Sequence, residues 1–343
     1  MHAPHEATSP KIVALGGGTG LPLILSGLKL AGLSREQLTA IVTVADDGGS
    51  SGRLRREDGS PPPGDVRNCL VALAQADPAI VELFRYRFEG EGTLGGHSLG
   101  NIILAAYTIS ERDLAGASER AAALLDARGR VFPATLEDVT LVADLADGRV
   151  VIGESSIAAA GSPVRRVRLL PATARALPEA VTAIAEADVV VLSPGSLFTS
   201  LIPVLVVPGI ASALAASSAR VVLVANLMTE PGETDGFSTS DIVRAIQAHA
   251  PEAAIHDVLV NVAPLPRGPV AHYARARAVP IPVDGAAIEA CGPRVVARRL
   301  LAGGRGIRHD PRKLAREILA LARGARKARR PATRAPRRVA EAL

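Results

Sequence analysis

The sequence predicts an α/β protein of the Rossmann-like, doubly wound kind, with a mainly parallel sheet and a small β-rich insertion. Three observations carry that prediction. Short β-branched runs recur along the chain, several of them apolar at nearly every position, as strands buried on both faces are. Ala- and Leu-rich helical stretches alternate with them. The first run, KIVAL, passes straight into GGGTG, the strand–glycine loop–helix opening of many nucleotide-binding domains.

Taken in order, strands are expected at 11–15, 40–44, 141–143, 150–152, 188–192, 221–225 and 258–260. Helices are expected at 21–30, 66–76, 101–110, 118–126, 177–187, 210–217 and 238–249. Residues 131–170 break the alternation: LVADLADGRVVIGESSI and RRVRLL flank an Asp-Gly hairpin signal, which places the β-rich insertion there. The expected organisation is a disordered N-terminus over 1–10, one α/β domain over 11–323 closed by a last helix, and a basic disordered tail over 324–343.

The composition narrows the function classes. The chain has 343 residues, 48% of them hydrophobic, so a large core is available. Aromatic residues make up only 2%, and there is no Trp, which argues against base-stacking platforms. The net charge of +5 is unevenly spread: residues 312–343 hold eleven Lys or Arg against two Glu, which leaves the rest of the chain at −4. The body is therefore not a basic nucleic-acid surface. The two cysteines, Cys69 and Cys291, have no metal or redox spacing, residues 1–10 lack the basic and apolar stretches of a signal peptide, and no uncharged apolar run reaches transmembrane length without Pro or Gly punctuation. A cytoplasmic protein is the expectation.

In parallel sheets, ligands bind beyond the carboxyl ends of the strands, so the loops there carry the functional reading. After the first strand come Gly16, Gly17, Gly18, Thr19 and Gly20. The dinucleotide fingerprint fails because Leu21 stands where its third glycine belongs, and the P-loop pattern is absent. Consecutive glycines still let backbone N–H groups gather round an anion at a helix start. That failure also counts against an NAD-dependent dehydrogenase.

After the second strand come Asp46 and Asp47, then Ser50 and Ser51, then Arg53, Arg55 and Arg56, read as one flexible polar loop. The carboxylates suit ribose hydroxyls or a divalent cation such as Mg, the hydroxyls a diphosphate, and the guanidiniums either phosphate or bulk water. Asp65 sits where a helix begins and reads as its N-cap, with Arg67 and Asn68 on the same rim. GGHSLGN opens another helix with His97, Ser98 and Asn101; His97 there is either structural or a participant in the chemistry. Later strand ends bring Ser193, Gly195, Ser196 and Thr199, and then Asn226, Thr229, Glu230, Thr234 and Asp235. Their convergence predicts one pocket for a nucleotide-like ligand.

Six segments in order, GGGTGL, VTVADDGGSSGRLR, PPPGDVRN, GHSLGN, SPGSLFTS and NLMTEPGETDGF, resemble the gluconeogenesis factor (YvcK-like) family over residues 11–315. That family is the bacterial branch of the superfamily that includes 2-phospho-L-lactate transferase (CofD-like). The resemblance implies a Rossmann-like fold and a non-catalytic regulator that binds a UDP-sugar, with UDP-N-acetylglucosamine expected. It further implies a role in cell shape and envelope precursor supply on gluconeogenic carbon sources, a protein partner in envelope synthesis, and a homo-oligomer. Carried over by position, Gly17, Gly18, Thr19, Gly20 and Asp46 line the nucleotide site, with Ser193, Gly195, Ser196 and Asn226 along the same cleft. Tyr273 and Arg308 match the tyrosine and arginine that contact the nucleotide sugar.

The alternative implied by the superfamily is an enzyme. It would move a phospholactyl-type group from a guanosine diphospho donor to a deazaflavin, with Asp46 and Asp47 as catalytic or metal-holding candidates. Two departures weigh against it. V-A-D-D-G-G stands where the transferases carry an N-T-G-D-D-type turn, and GHSLGN stands where they carry a D-x-A-T-H-type stretch.

Overall fold

The computed structural model describes residues 9–59, 61–304 and 306–329. Its main sheet has seven strands: β1 (Ile12–Gly16), β2 (Leu38–Val42), β3 (Arg130–Pro133), β7 (Val189–Leu192), β8 (Arg220–Val224), β9 (Asp257–Asn261) and β10 (Arg294–Arg298). A second, antiparallel sheet is built from β4 (Thr140–Leu145), β5 (Val150–Ile152) and β6 (Val164–Leu170), in the order β5-β4-β6.

The order in the main sheet is β10-β9-β8-β7-β1-β2-β3, and every pair is parallel. Ile12 stands opposite Leu38 on one side and Val189 on the other. Every residue of β1, β2 and β7 is buried, which is why these strands read as nearly continuous apolar runs, interrupted in β2 by Thr39. From β1 the chain moves outward to β2 and β3, whereas β7 begins the run outward to β8, β9 and β10. The crevice between β1 and β7 is therefore the topological switch point, where doubly wound sheets bind ligands.

Several expectations needed correction. The segment after β2 is not a flexible loop: Gly49–Asp58 is a helix. Its glycines and serines have low helix propensity, and tertiary contact overrides it, with Ser50 4% and Ser51 3% exposed. The insertion starts later than residue 131, because β3 belongs to the main sheet and only 140–170 forms the small one. Its turn does lie at Asp147-Gly148, where Gly148 takes a left-handed φ of 87°. β10 was missed because it is an edge strand whose arginines face out, so its apolar run is short. The last helix, Pro311–Arg329, continues past Gly324, where the sequence reading ended the domain. Expectations for residues 1–8 and 330–343 lie outside the described residues.

Among the described residues no single helix is long and apolar enough to cross a membrane. The bent pair Leu197–Leu205 and Ile210–Ala216 passes that test jointly, but Leu201, Ile202, Val204 and Leu205 are packed in the core.

Candidate functional site

The loops after β1 and β7 approach so closely that glycine is required. A Cβ on Gly20 would lie 1.7 Å from the carbonyl oxygen of Pro194. The β7 loop is itself fixed: Ser193 N–H donates to Leu15 O at 3.0 Å, and Asn226 Nδ2 donates to Gly195 O at 2.7 Å. Ser196 Oγ donates to Glu230 Oε1 at 2.7 Å. Three strand ends, those of β1, β7 and β8, are thus tied into one wall.

A cleft of 540 Å³ opens along that wall. Thr19 and Gly20 line it from the first loop, Gly195 from the second, and Asn226 and Glu230 from the segment after β8. Its far side carries Tyr273, half-buried on the helix Arg267–Arg275, and the exposed Arg308. Thr19 caps the helix Gly20–Leu30 without a side-chain hydrogen bond, so that helix start, which lines the cleft at Thr19 and Gly20, carries no side-chain cap from the protein. His309 also lines the cleft. It is buried, its Nε2 has no hydrogen-bond partner among the described residues, and burial pulls its pKa down to about 4, which keeps it neutral.

Other predicted residues are placed beneath or beside the cleft. Ser50 Oγ lies 3.1 Å from His97 Nδ1 and accepts from Ser98 N–H, so these groups satisfy one another inside the protein. Burial lowers the His97 pKa, with Arg53 adding to the effect. Arg53 donates to Gly95 O at 2.6 Å. Arg55 holds Asp138 and Val139 O of the small sheet's entry, and Arg56 reaches Asp47 O at 3.4 Å, so none of the three is simply solvated. Asn101 is 2% exposed and accepts from Arg67 Nη1 at 2.9 Å, while Asn68 accepts from Arg67 Nη2 at 2.7 Å.

Asp47 faces the insertion: its Oδ1 accepts from Ser155 N–H at 2.9 Å, at the start of the helix Glu154–Ala159. Asp46 Oδ1 accepts from Gly48 N–H at 2.9 Å, and burial raises its pKa. Asp65 is not the N-cap of its helix, a position held by Pro63. It accepts instead from Gly18 N–H at 2.9 Å and so holds the glycine loop, and burial pushes its carboxyl up to about 7.

Two further acids went unnoticed in the sequence. Glu154 is pushed up to about 7 by burial, then by the charges of Asp46 and Asp47. Glu233 is pushed up to about 7 by burial and then by Glu230, while its carboxylate accepts from Phe198 N–H at 2.9 Å and Thr199 Oγ1 at 2.7 Å. Glu233 lay within a quoted motif and could have been singled out there. Glu154 had no signal, because the fold alone brings the insertion to β2. Among the described residues no three His, Cys, Asp or Glu side chains converge as a ligand set for a metal.

Comparison with known proteins agrees with this architecture. The family model for 2-phospho-L-lactate transferase CofD matches residues 12–301. The chain belongs to the CofD family. A gluconeogenesis factor from Halalkalibacterium halodurans is 47% identical over 281 residues, 82% of this chain and 86% of its own. The Bacillus subtilis gluconeogenesis factor is 43% identical over 302 residues, 88% of this chain and 94% of its own. A relative from Nostoc sp. is 47% identical over 305 residues, but this chain spans just 66% of its length. A crystal structure of a UPF0052 family member from Bacillus halodurans superposes with a TM-score of 0.87 at 44% identity, covering 91% of this chain and 99% of its own. Within the CofD family this chain is thus similar to proteins named gluconeogenesis factor.

Proposed function

We propose that this CofD family member is a nucleotide-sugar-responsive regulator, with UDP-N-acetylglucosamine as its ligand. The observation that carries the reading is the 540 Å³ cleft at the switch point, which has the glycine loop on one wall and Tyr273 and Arg308 on the other. A helix start without a side-chain cap suits a diphosphate, a half-buried tyrosine ring suits stacking on uracil, and an exposed guanidinium suits a phosphate oxygen. The acids with raised pKa, Asp46, Asp65, Glu154 and Glu233, are absent from the cleft lining, and Asp46, Asp65 and Glu233 accept from backbone N–H groups, which favours binding over group transfer. Regulation of a protein partner in envelope synthesis, in support of cell shape on gluconeogenic carbon sources, follows from the same reading.

The test is isothermal titration with UDP-N-acetylglucosamine, UDP-glucose, GDP and NAD, each with and without magnesium. The reading requires saturable binding of the UDP-sugar that is weakened in Tyr273→Ala and Arg308→Glu. Metal-dependent binding of GDP alone would favour the transferase and overturn the proposal.

A further inference from the structure

Thr19 faces a second cleft of different chemistry. This hollow of 380 Å³ is bounded by Gly18, Thr19 and Pro22 at the start of the first helix and by Arg67 and Asn68 on the helix Gly64–Leu73. Arg85, the last residue of the helix Pro78–Arg85, and Arg87 close it. No acidic side chain lines it, whereas three guanidiniums do.

Two of those guanidiniums, Arg67 and Arg87, are oriented without being neutralised. Arg67 donates to the amide oxygens of Asn68 and Asn101, and Arg87 Nη1 donates to Gly96 O at 2.6 Å. All three acceptors are uncharged, so the positive charge stays. Asp65 and Asp46 offset part of the charge on Arg67, while Arg87 opposes it. Arg85 is exposed and has no ion-pair partner among the described residues, and its charge bears on the half-buried Lys29. Several cations are thus held near one another with no anion of the protein inside the hollow. Pro22, Val71 and Ala72 add an apolar floor.

We propose that this second cleft binds a small phosphorylated metabolite through its phosphomonoester group. Guanidinium forks match phosphate oxygens in charge and geometry. The apolar floor gives the carbon skeleton a surface, and the volume falls at the small end of the ligand-pocket range of about 300–1,000 Å³. No aromatic side chain lines the hollow, so a stacked base has no platform there. The proposal does not depend on what fills the first cleft.

The experiment is calorimetric titration of the full-length protein at constant ionic strength. The probes are glucose 6-phosphate, ribose 5-phosphate, 3-phosphoglycerate and inorganic phosphate, with glucose as the uncharged control. Saturable binding of at least one phosphorylated probe, and none of glucose, is expected. Arg85→Glu should weaken that binding by about tenfold or more, the scale of a lost hydrogen bond to a charged group plus repulsion. Tyr273→Ala should leave it unchanged. Arg85 is exposed and has no ion-pair partner among the described residues, so the variant should melt like the parent, and Arg85→Lys should restore part of the binding. Two results overturn the proposal: no phosphorylated probe binds, or binding is lost in Tyr273→Ala and untouched in Arg85→Glu, which places the anion in the first cleft.

Discussion

Replacing Gly20 by Ala separates two opposing effects and gives a prediction of sign. Gly20 opens the helix Gly20–Leu30, where alanine would by itself favour folding by up to about 1 kcal/mol. The structure sets a clash against that gain. The added Cβ would lie 1.7 Å from Pro194 O and 2.6 Å from its carbonyl carbon. Ordinary carbon contact lies near 3.5 Å, so one backbone segment must move by about 1.5–2 Å. Neither is free to do so, because the Pro194 segment is held by Leu15, Asn226 and Glu230. Overpacking of this kind costs about 1–3 kcal/mol or more, which outweighs the propensity gain and leaves a net loss of about 2 kcal/mol. With an unfolding entropy of about 2.1 cal/mol/K per residue over 343 residues, that loss lowers Tm by about 3 °C. Gly18→Ala is the matched control. Its Cβ would have 3.6 Å to Ser200 Oγ, so only the left-handed φ of 59° opposes it, at about 1–2 kcal/mol. Thermal and urea unfolding measure both variants, and titration with the UDP-sugar measures the cleft wall. Gly20→Ala should weaken ligand binding more than Gly18→Ala does. A Gly20→Ala protein at least as stable as its parent, with unchanged affinity, would refute the close approach of the two loops.

Other variants test single links. Tyr273→Ala should cost about 1–3 kcal/mol of UDP-sugar affinity through lost stacking, with an unchanged melting curve; unfolding instead would make Tyr273 structural. Asp47→Ala removes the acceptor for Ser155 N–H, at about 1 kcal/mol, so amide exchange should quicken in the helix Glu154–Ala159 while β1 and β7 stay protected. The carboxyl of Glu233 titrates near 7 in the fold against 4.5 in the unfolded chain, so the unfolded chain sheds its proton first as pH rises. Its contribution to stability is therefore full below about 4.5 and lost by about 7. Glu233→Gln should gain stability over the parent across that window in urea unfolding, and a constant difference between the two would count against a neutral Glu233.

The central strands were legible because burial on both faces writes itself as consecutive Val, Ile, Leu and Ala. β10 was not, since Arg294 and Arg298 sit on an edge and leave only Val295, Val296 and Ala297 between them. The helix Gly49–Asp58 was not legible either. Local propensity argues against GSSG as a helix start, and long-range contacts favour it, among them the packing of Ser50 on His97, 47 residues away. Non-local pairing of this kind leaves no period in a sequence.

The same limit explains how the polar loops divide. Strand-end loops packed on one another must pair their buried polar groups or forfeit about 1–3 kcal/mol for each one left unsatisfied. Ser50 with His97, Asn101 with Arg67, Asp65 with Gly18 and Glu233 with Phe198 and Thr199 all meet that demand within the protein. Among the described residues Thr19, Tyr273 and Arg308 have no such side-chain bond, and they line the open cleft instead. A sequence motif collects both kinds, because losing a support displaces the wall as surely as losing a contact empties it. Burial separates them. The buried polar residues of these motifs are expected to change stability together with affinity, and Thr19, Tyr273 and Arg308 affinity alone.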